Sequence, residues 1–129
     1  MKTLIVDDDF TNRLLLQEIL KVHGPVHVAV NGKEAVEAVA VARKNKEEPY
    51  DLICLDIMMP EMDGQEALNT IRTDEERAGV IKKCKIIMTT ALGDSKNVIE
   101  SFKKQCDGFI VKPVSKAKLL EQLQTLDLI

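Results

Sequence analysis

Five short apolar runs recur along the chain, at Thr3–Val6, Val26–Val30, Leu52–Leu55, Ile86–Thr89 and Phe109–Val111, and a segment with helical periodicity follows each one. This alternation restricts the fold more than any other feature. Parallel neighbours cannot be joined by a tight turn, so each pair needs a crossover, and a helix supplies it. The runs are continuously apolar, as expected of strands covered on both faces. The sequence therefore predicts an α/β protein: a doubly wound parallel sheet of five strands, (βα)5, with helices on both faces.

The helical segments carry apolar stripes. In the first, Leu15, Ile19 and Val22 fall at i, i+4 and i+7, with Leu16 and Leu20 widening the face. Val36, Val39 and Ala40 form the second face, after Asn31 as N-cap. Ala67, Leu68 and Ile71 follow Gly64; Val98, Ile99 and Phe102 follow Gly93-Asp94-Ser95; Leu119, Leu120, Leu123 and Leu126 follow Ser115. Two polar stretches, Asn45–Asp51 and Arg72–Cys84, read as connections between units.

At 129 residues the chain suits one domain over residues 1–129, with no output domain after the fifth helix. A net charge of -3 argues against a nucleic-acid binder working through a broad basic face, although Lys103, Lys104, Lys112, Lys116 and Lys118 make the C-terminal part locally basic. No apolar run approaches the roughly 18 residues of a membrane span, and the opening MKTLIVDDD meets acid too early for a secretory signal. A cytoplasmic protein without membrane partners is expected. Cys54, Cys84 and Cys106 form no CxxC and sit beside apolar residues, so they read as buried free thiols.

The polar residues fall where ligands bind in open parallel sheets, beyond the carboxyl ends of the strands. Asp7 and Asp8 follow the first strand, Asp56 the third, Thr90 ends the fourth and Lys112 the fifth. Two carboxylates about 4 Å apart repel by roughly 4 kcal/mol at an effective dielectric near 20. The aspartates of LIVDDDF therefore either fan into water or converge on a cation. Carboxylates from two strands, with main-chain carbonyls nearby, suit Mg2+. A cation there would screen a phosphate from the acids, while Lys112 and the Thr90 hydroxyl could hold its oxygens. An aspartate is a competent nucleophile toward phosphorus.

These residues resemble a response-regulator receiver domain, the phospho-acceptor of two-component signalling. LIVDDD, LDIMMPEMDG, IIMTTA and GFIVKPV match the family in type, order and spacing, and the likeness spans essentially the whole chain. It implies a flavodoxin-like fold with strand order 2-1-3-4-5, in a single-domain regulator of the chemotaxis type. It also implies Asp56 as phospho-acceptor from a histidine kinase or phosphotransfer protein, and Mg2+ held by Asp8, Asp56 and the Met58 carbonyl, with Asp7 acting through water. Thr90 and Lys112 become the phosphate-contacting pair, and the Lys112–Pro113 bond is expected to be cis. Asp9 has no required role there and reads as a helix N-cap.

The resemblance further makes Thr90 and Phe109 a switch that remodels a face formed by the fourth helix, the fifth strand and the fifth helix, with an effector protein as partner; a core aromatic is the plainer reading of Phe109. Met58 and Leu92, two residues after Asp56 and Thr90, take positions that tune phosphoryl loss. Neither can orient a water, which predicts a long-lived phosphoryl group; the plainer reading is that they fill space. Asp7-x-Asp9-x-Thr11 also matches the nucleophile motif of haloacid-dehalogenase-like phosphatases, with Asp7 as nucleophile. Beyond Lys112 the acids are Glu121 and Asp127 alone, too far down the last helix for that chemistry. A flavodoxin-like cofactor binder lacks its Gly-rich loop after the first strand. A pseudo-receiver that keeps the fold without taking phosphate is a third alternative.

Overall fold

A computed structural model describes residues 1–59, 61–91 and 105–129. In chain order these form β1 (Thr3–Val6), α1 (Phe10–Leu20), a 3-10 turn (Lys21–His23), β2 (Val26–Ala29), α2 (Gly32–Lys44) and β3 (Leu52–Asp56). Then follow α3 (Gly64–Arg77), β4 (Lys85–Thr90), β5 (Gly108–Val111) and α4 (Lys116–Thr125). The last helix is the fifth expected from the sequence. The fourth, on Val98, Ile99 and Phe102, lies outside the described residues, as do Leu92, Lys103 and Lys104.

All strand pairs are parallel, in the order β2-β1-β3-β4-β5. The order and the class agree with expectation. Val6 pairs with Ala29 and Leu55, Asp56 with Thr89, and Thr90 with Val111, so the strand ends carrying the polar residues are level. Side chains alternate across a strand, and this splits the core in two. Leu4, Val6, Ile53, Leu55, Ile86 and Met88 pack with Ala35, Ala67, Leu68 and Ile71 of α2 and α3. Ile5, Cys54, Ile87 and Ile110 pack with Leu16, Ile19 and Leu20 of α1 and Leu119 and Leu123 of α4. Each large apolar side chain so buried contributes about 1.5–3 kcal/mol. Burial pushes the Cys54 thiol up to about 12.

Asp9 accepts from Thr11 N (2.9 Å), Asn31 from Glu34 N (2.9 Å), Asp63 from Glu66 N (3.0 Å) and Ser115 from Lys118 N (3.1 Å), so each of the α-helices among the described residues starts with a side-chain cap. Such caps are worth typically about 1 kcal/mol each.

Three expectations need correction. On α1 the buried stripe is Leu16, Ile19 and Leu20, whereas Leu15 is 41% and Val22 74% exposed. The helix ends at Leu20 and the 3-10 turn carries Val22 out of helical phase. On α2 the buried positions are Ala35 and Ala42, with Val36 and Val39 half-buried and Ala40 exposed; small side chains allow close approach but carry little hydropathy. The polar stretch from Arg72 is helix as far as Arg77, not connection.

The reason lies in an ionic network at the amino-terminal edge of the sheet. Glu75, only 3% exposed, accepts from Arg72 Nη1 (2.7 Å) and from Cys84 N (3.0 Å). Arg72 also donates to Gln105 O (2.8 Å), Cys84 O (2.9 Å) and Asp107 Oδ2 (2.9 Å), and Ile86 N donates to that same carboxylate oxygen (2.8 Å). Burial opposes the Arg72 charge, but Glu75 and the other anionic neighbours outweigh it and raise its pKa. The last turns of α3 are thereby tied to the starts of β4 and β5. All three cysteines are free, with Cys54 buried and Cys84 and Cys106 only half-buried. Burial, reinforced by Glu75, pushes the Cys84 thiol up to about 12. Among the described residues no helix is long and apolar enough to cross a membrane.

Candidate phosphoryl-acceptor site

The carboxyl ends of β1 and β3 lie side by side, and this adjacency brings the acids together. Asp7, Asp8 and Asp56 each offer a carboxylate oxygen, all within 4.8 Å of one another. Asp7 is 1% and Asp56 5% exposed, while Asp8 faces solvent. The chain leaving β1 is fixed atom by atom. Asp7 N donates to Ala29 O (3.2 Å), Asp9 N donates to Asp7 Oδ1 (2.8 Å), and Arg13 Nη1 donates to Asp7 O (2.8 Å).

Lys112 enters from the end of β5. Its main-chain N–H donates to Thr90 O (2.7 Å), the Lys112–Pro113 peptide is cis, and its Nζ lies 3.1 Å from Asp56 Oδ2 and 3.2 Å from Asp7 Oδ2. Burial raises the Asp56 carboxyl to about 6; Lys112 opposes through its hydrogen bond and charge, Asp7 adds to the rise, and the Met58 main-chain N–H opposes it. For Lys112, burial disfavours the charge, yet Asp56 and then Asp7 outweigh it and hold the ammonium above its ordinary value. Thr90 is buried at the end of β4.

The donor set fits a hard divalent cation. It consists of oxygens alone, and Asp7 Oδ2, fully buried, accepts no aligned hydrogen bond; the Lys112 ammonium is beside it as an ion-pair partner only. A buried carboxylate oxygen with no aligned donor keeps a lone pair free for a water or a hard cation.

Two glycines let the loop after β3 fold back. Gly64 N donates to Ile57 O (2.8 Å), and a Cβ there would stand 2.2 Å from Asp56 O. Gly32 N donates to Met62 O (3.0 Å), and a Cβ there would stand 2.4 Å from that oxygen.

Asp7, Asp8, Asp56 and Lys112 thus converge, with Thr90 on the adjoining strand end. Asp9 stands apart, exposed and engaged as the cap of α1. Met58 is 65% exposed. Phe109 is half-buried against the core on the α2 and α3 face, and its carbonyl accepts from Gln122 Nε2 (3.0 Å). Arg13 was not anticipated. Its signal was faint: it is the lone cation between Asp7 and Lys21.

Open parallel sheets with the order 2-1-3-4-5 and a polar carboxyl edge form the flavodoxin-like class of α/β proteins. Within that class the chain matches the family described as response regulator receiver domain over residues 3–124, and it belongs to that family. It is 37% identical over 124 residues to chemotaxis protein CheY of Listeria monocytogenes, covering 96% of each chain. It is equally 37% identical to transcriptional regulatory protein SrrA of Staphylococcus aureus, covering 95% of this chain and 46% of that one. Among solved structures, the CheX-CheY-BeF3-Mg+2 complex from Borrelia burgdorferi superposes with a TM-score of 0.79 at 31% identity, covering 98% of this chain and 89% of that one. The chain is a receiver domain of two-component signalling systems, similar to CheY.

Proposed function

We propose that the chain, acting as one receiver unit in the cytoplasm, accepts a phosphoryl group on Asp56 from the phosphohistidine of a histidine kinase or phosphotransfer protein. The observation that carries this reading is the position of Lys112 Nζ, within 3.2 Å of both buried carboxylates at the edge where β1, β3 and β5 end. Asp56 is ionised above its pKa of about 6 and so is a nucleophile at neutral pH. One of its oxygens attacks phosphorus; the P–N bond to the donor imidazole breaks, its electron pair returns to nitrogen, and that nitrogen takes a proton from solvent. The product is an acyl phosphate.

Asp8, Asp56 and the Met58 carbonyl would hold Mg2+, with Asp7 engaged through water. When bound, the ion supplies countercharge for the phosphoryl oxygens. Lys112, released from its carboxylate partners, and the Thr90 hydroxyl steady those oxygens. Thr90 moving toward the phosphate and Phe109 turning with it alter a face that includes β5 and α4, and the output is contact with an effector protein rather than with nucleic acid. The chain catalyses only its own phosphorylation and dephosphorylation. Met58, with Leu92, slows water attack on the product.

The test is incubation with Mg2+ and a small-molecule phosphodonor, read by intact mass spectrometry and peptide mapping. One added phosphoryl group on Asp56, absent from Asp56→Asn and from samples in chelator, is expected. Modification at Asp7 would favour phosphatase-like chemistry instead, and no modification would favour a pseudo-receiver.

A further inference from the structure

Asp8 contributes to the acidic cluster without a side-chain anchor of its own. Asp7 Oδ1 is tied to Asp9 N and Asp7 Oδ2 lies by Lys112, whereas Asp8 is exposed and no neighbour among the described residues hydrogen-bonds its carboxylate. Its direction is set by the peptide planes on either side. The later one is fixed by Asp9 N donating to Asp7 Oδ1 (2.8 Å). The earlier one is fixed by Arg13, whose Nη1 donates to Asp7 O (2.8 Å) from within the first turns of α1.

That carbonyl needs a side-chain partner because the β1 ladder stops at Val6, paired with Ala29 and Leu55. A main-chain oxygen just past a strand end must find another donor or water. The guanidinium carbon also lies 5.7 Å from the centroid of the Phe10 ring, a side chain that is itself 68% exposed. The planar guanidinium is rigid, so less freedom is lost per hydrogen bond it forms.

We infer that Arg13 is a positioning residue for the cation site: by holding the Asp7–Asp8 peptide through the Asp7 carbonyl, it aims the Asp8 carboxylate at the position shared with Asp7 and Asp56. This rests on the proposed Mg2+-dependent function. In this role Arg13 would touch neither the cation nor phosphate, since its hydrogen bond goes to the Asp7 carbonyl. Its contribution is to the geometry of an acid whose carboxylate has no hydrogen-bond anchor among the described residues, in the manner of outer-shell groups that set the direction of metal ligands.

The experiment is a calorimetric Mg2+ titration of the full chain as wild type, Arg13→Met and Arg13→Lys, at low salt and at high salt. Arg13→Met keeps the aliphatic stem beside Phe10, and circular dichroism confirms that each variant is folded. Loss of an outer-shell partner weakens metal binding by about 10-fold or more, and that is the expected effect in Arg13→Met at both salt concentrations. Arg13→Lys is expected to recover only part, since a freely rotating ammonium fixes the Asp7 carbonyl less firmly than one N–H of a rigid, planar guanidinium. As a second reading, the amide resonances of Asp8 and Asp9 in metal-free Arg13→Met should shift away from wild type. In phosphorylation, the defect should appear as a higher Mg2+ requirement with the maximal rate kept.

Mg2+ affinity in Arg13→Met within twofold of wild type overturns the inference. A loss that Arg13→Lys restores in full and high salt abolishes also overturns it, because that pattern is charge alone. Wild-type protein that binds no Mg2+ overturns the proposed function instead, and is seen in the reference sample before any variant is compared.

Discussion

Lys112 Nζ stands 3.1 Å from Asp56 Oδ2, pairing the end of β5 with the end of β3 across the intervening β4. The pair is asymmetric in solvation: Asp56 is buried and Lys112 half-buried. Removing the carboxylate therefore relieves a desolvated charge, whereas removing the ammonium strands one.

The first prediction concerns the ammonium. In the metal-free protein Lys112→Met leaves Asp56 beside Asp7 without its ammonium partner, and its carboxyl rises further. Under the proposed function it also removes a group aimed at developing phosphoryl charge. Phosphorylation by a small donor at saturating Mg2+ should slow by about 100-fold to 1,000-fold, the scale of losing one preorganised electrostatic contact. A single-turnover time course by mass spectrometry measures it, and a rate within threefold of wild type would refute the role.

Asp56 gives a pH prediction whose sign is fixed. Its folded pKa, about 6, exceeds the unfolded value of about 3.9. The folded state thus binds the proton more tightly, and relative to the unfolded chain the group loses stability as pH rises from about 4 to about 6, with the full penalty above. Asp56→Asn removes the penalty. In chelator at pH 8 the variant should be more stable than wild type by about 1–3 kcal/mol, and at pH 4 the difference should vanish. Urea unfolding at the two pH values decides the matter; a larger gain in acid would contradict it.

Gly64 has no room for a side chain. A Cβ would stand 2.2 Å from Asp56 O and 2.8 Å from Ile57 Cα, both main chain, so the backbone itself must give way. Gly64→Ala should cost about 1–3 kcal/mol, typical of overpacking, and should also weaken Mg2+ binding, because the displaced segment carries Asp56. Thermal denaturation with and without Mg2+ tests both effects together.

The network at the amino-terminal edge predicts a non-additive pair. Arg72→Met strands Glu75, 3% exposed, and should cost about 3–5 kcal/mol. Combining it with Glu75→Leu removes the orphaned charge and should restore a substantial part. A double-mutant cycle by urea unfolding checks the coupling, and simple additivity would show that the pair contributes little jointly.

Legibility followed the physics. Strand ends were readable because continuous apolar runs stop abruptly at Asp7 and Asp56, and a polar residue at such an end has few other places to point. Whether those ends meet depends on strand order, which periodicity does not encode; that came through resemblance. The phase of α1 was misread because a 3-10 turn at Lys21–His23 is invisible to a helical template. The end of α3 reads as connection because Arg72 and Glu75 lie in a polar stretch, yet they satisfy each other inside. Arg13 escaped notice because its partner is a main-chain carbonyl, and main-chain partners leave no trace in residue identity.

Cys54 lies two residues before Asp56 on a strand flanked by β1 and β4, with its thiol pushed up to about 12. Alkylating reagents react with the thiolate, so in the native protein this sulfur is sealed both by packing and by protonation. In a Cys84→Ser, Cys106→Ser background, and with reagent concentrated enough that alkylation outpaces reclosing, the rate at which Cys54 becomes labelled is the rate at which the middle of the sheet comes apart. The chain carries a built-in clock for that event, read beside the very residue proposed to be modified.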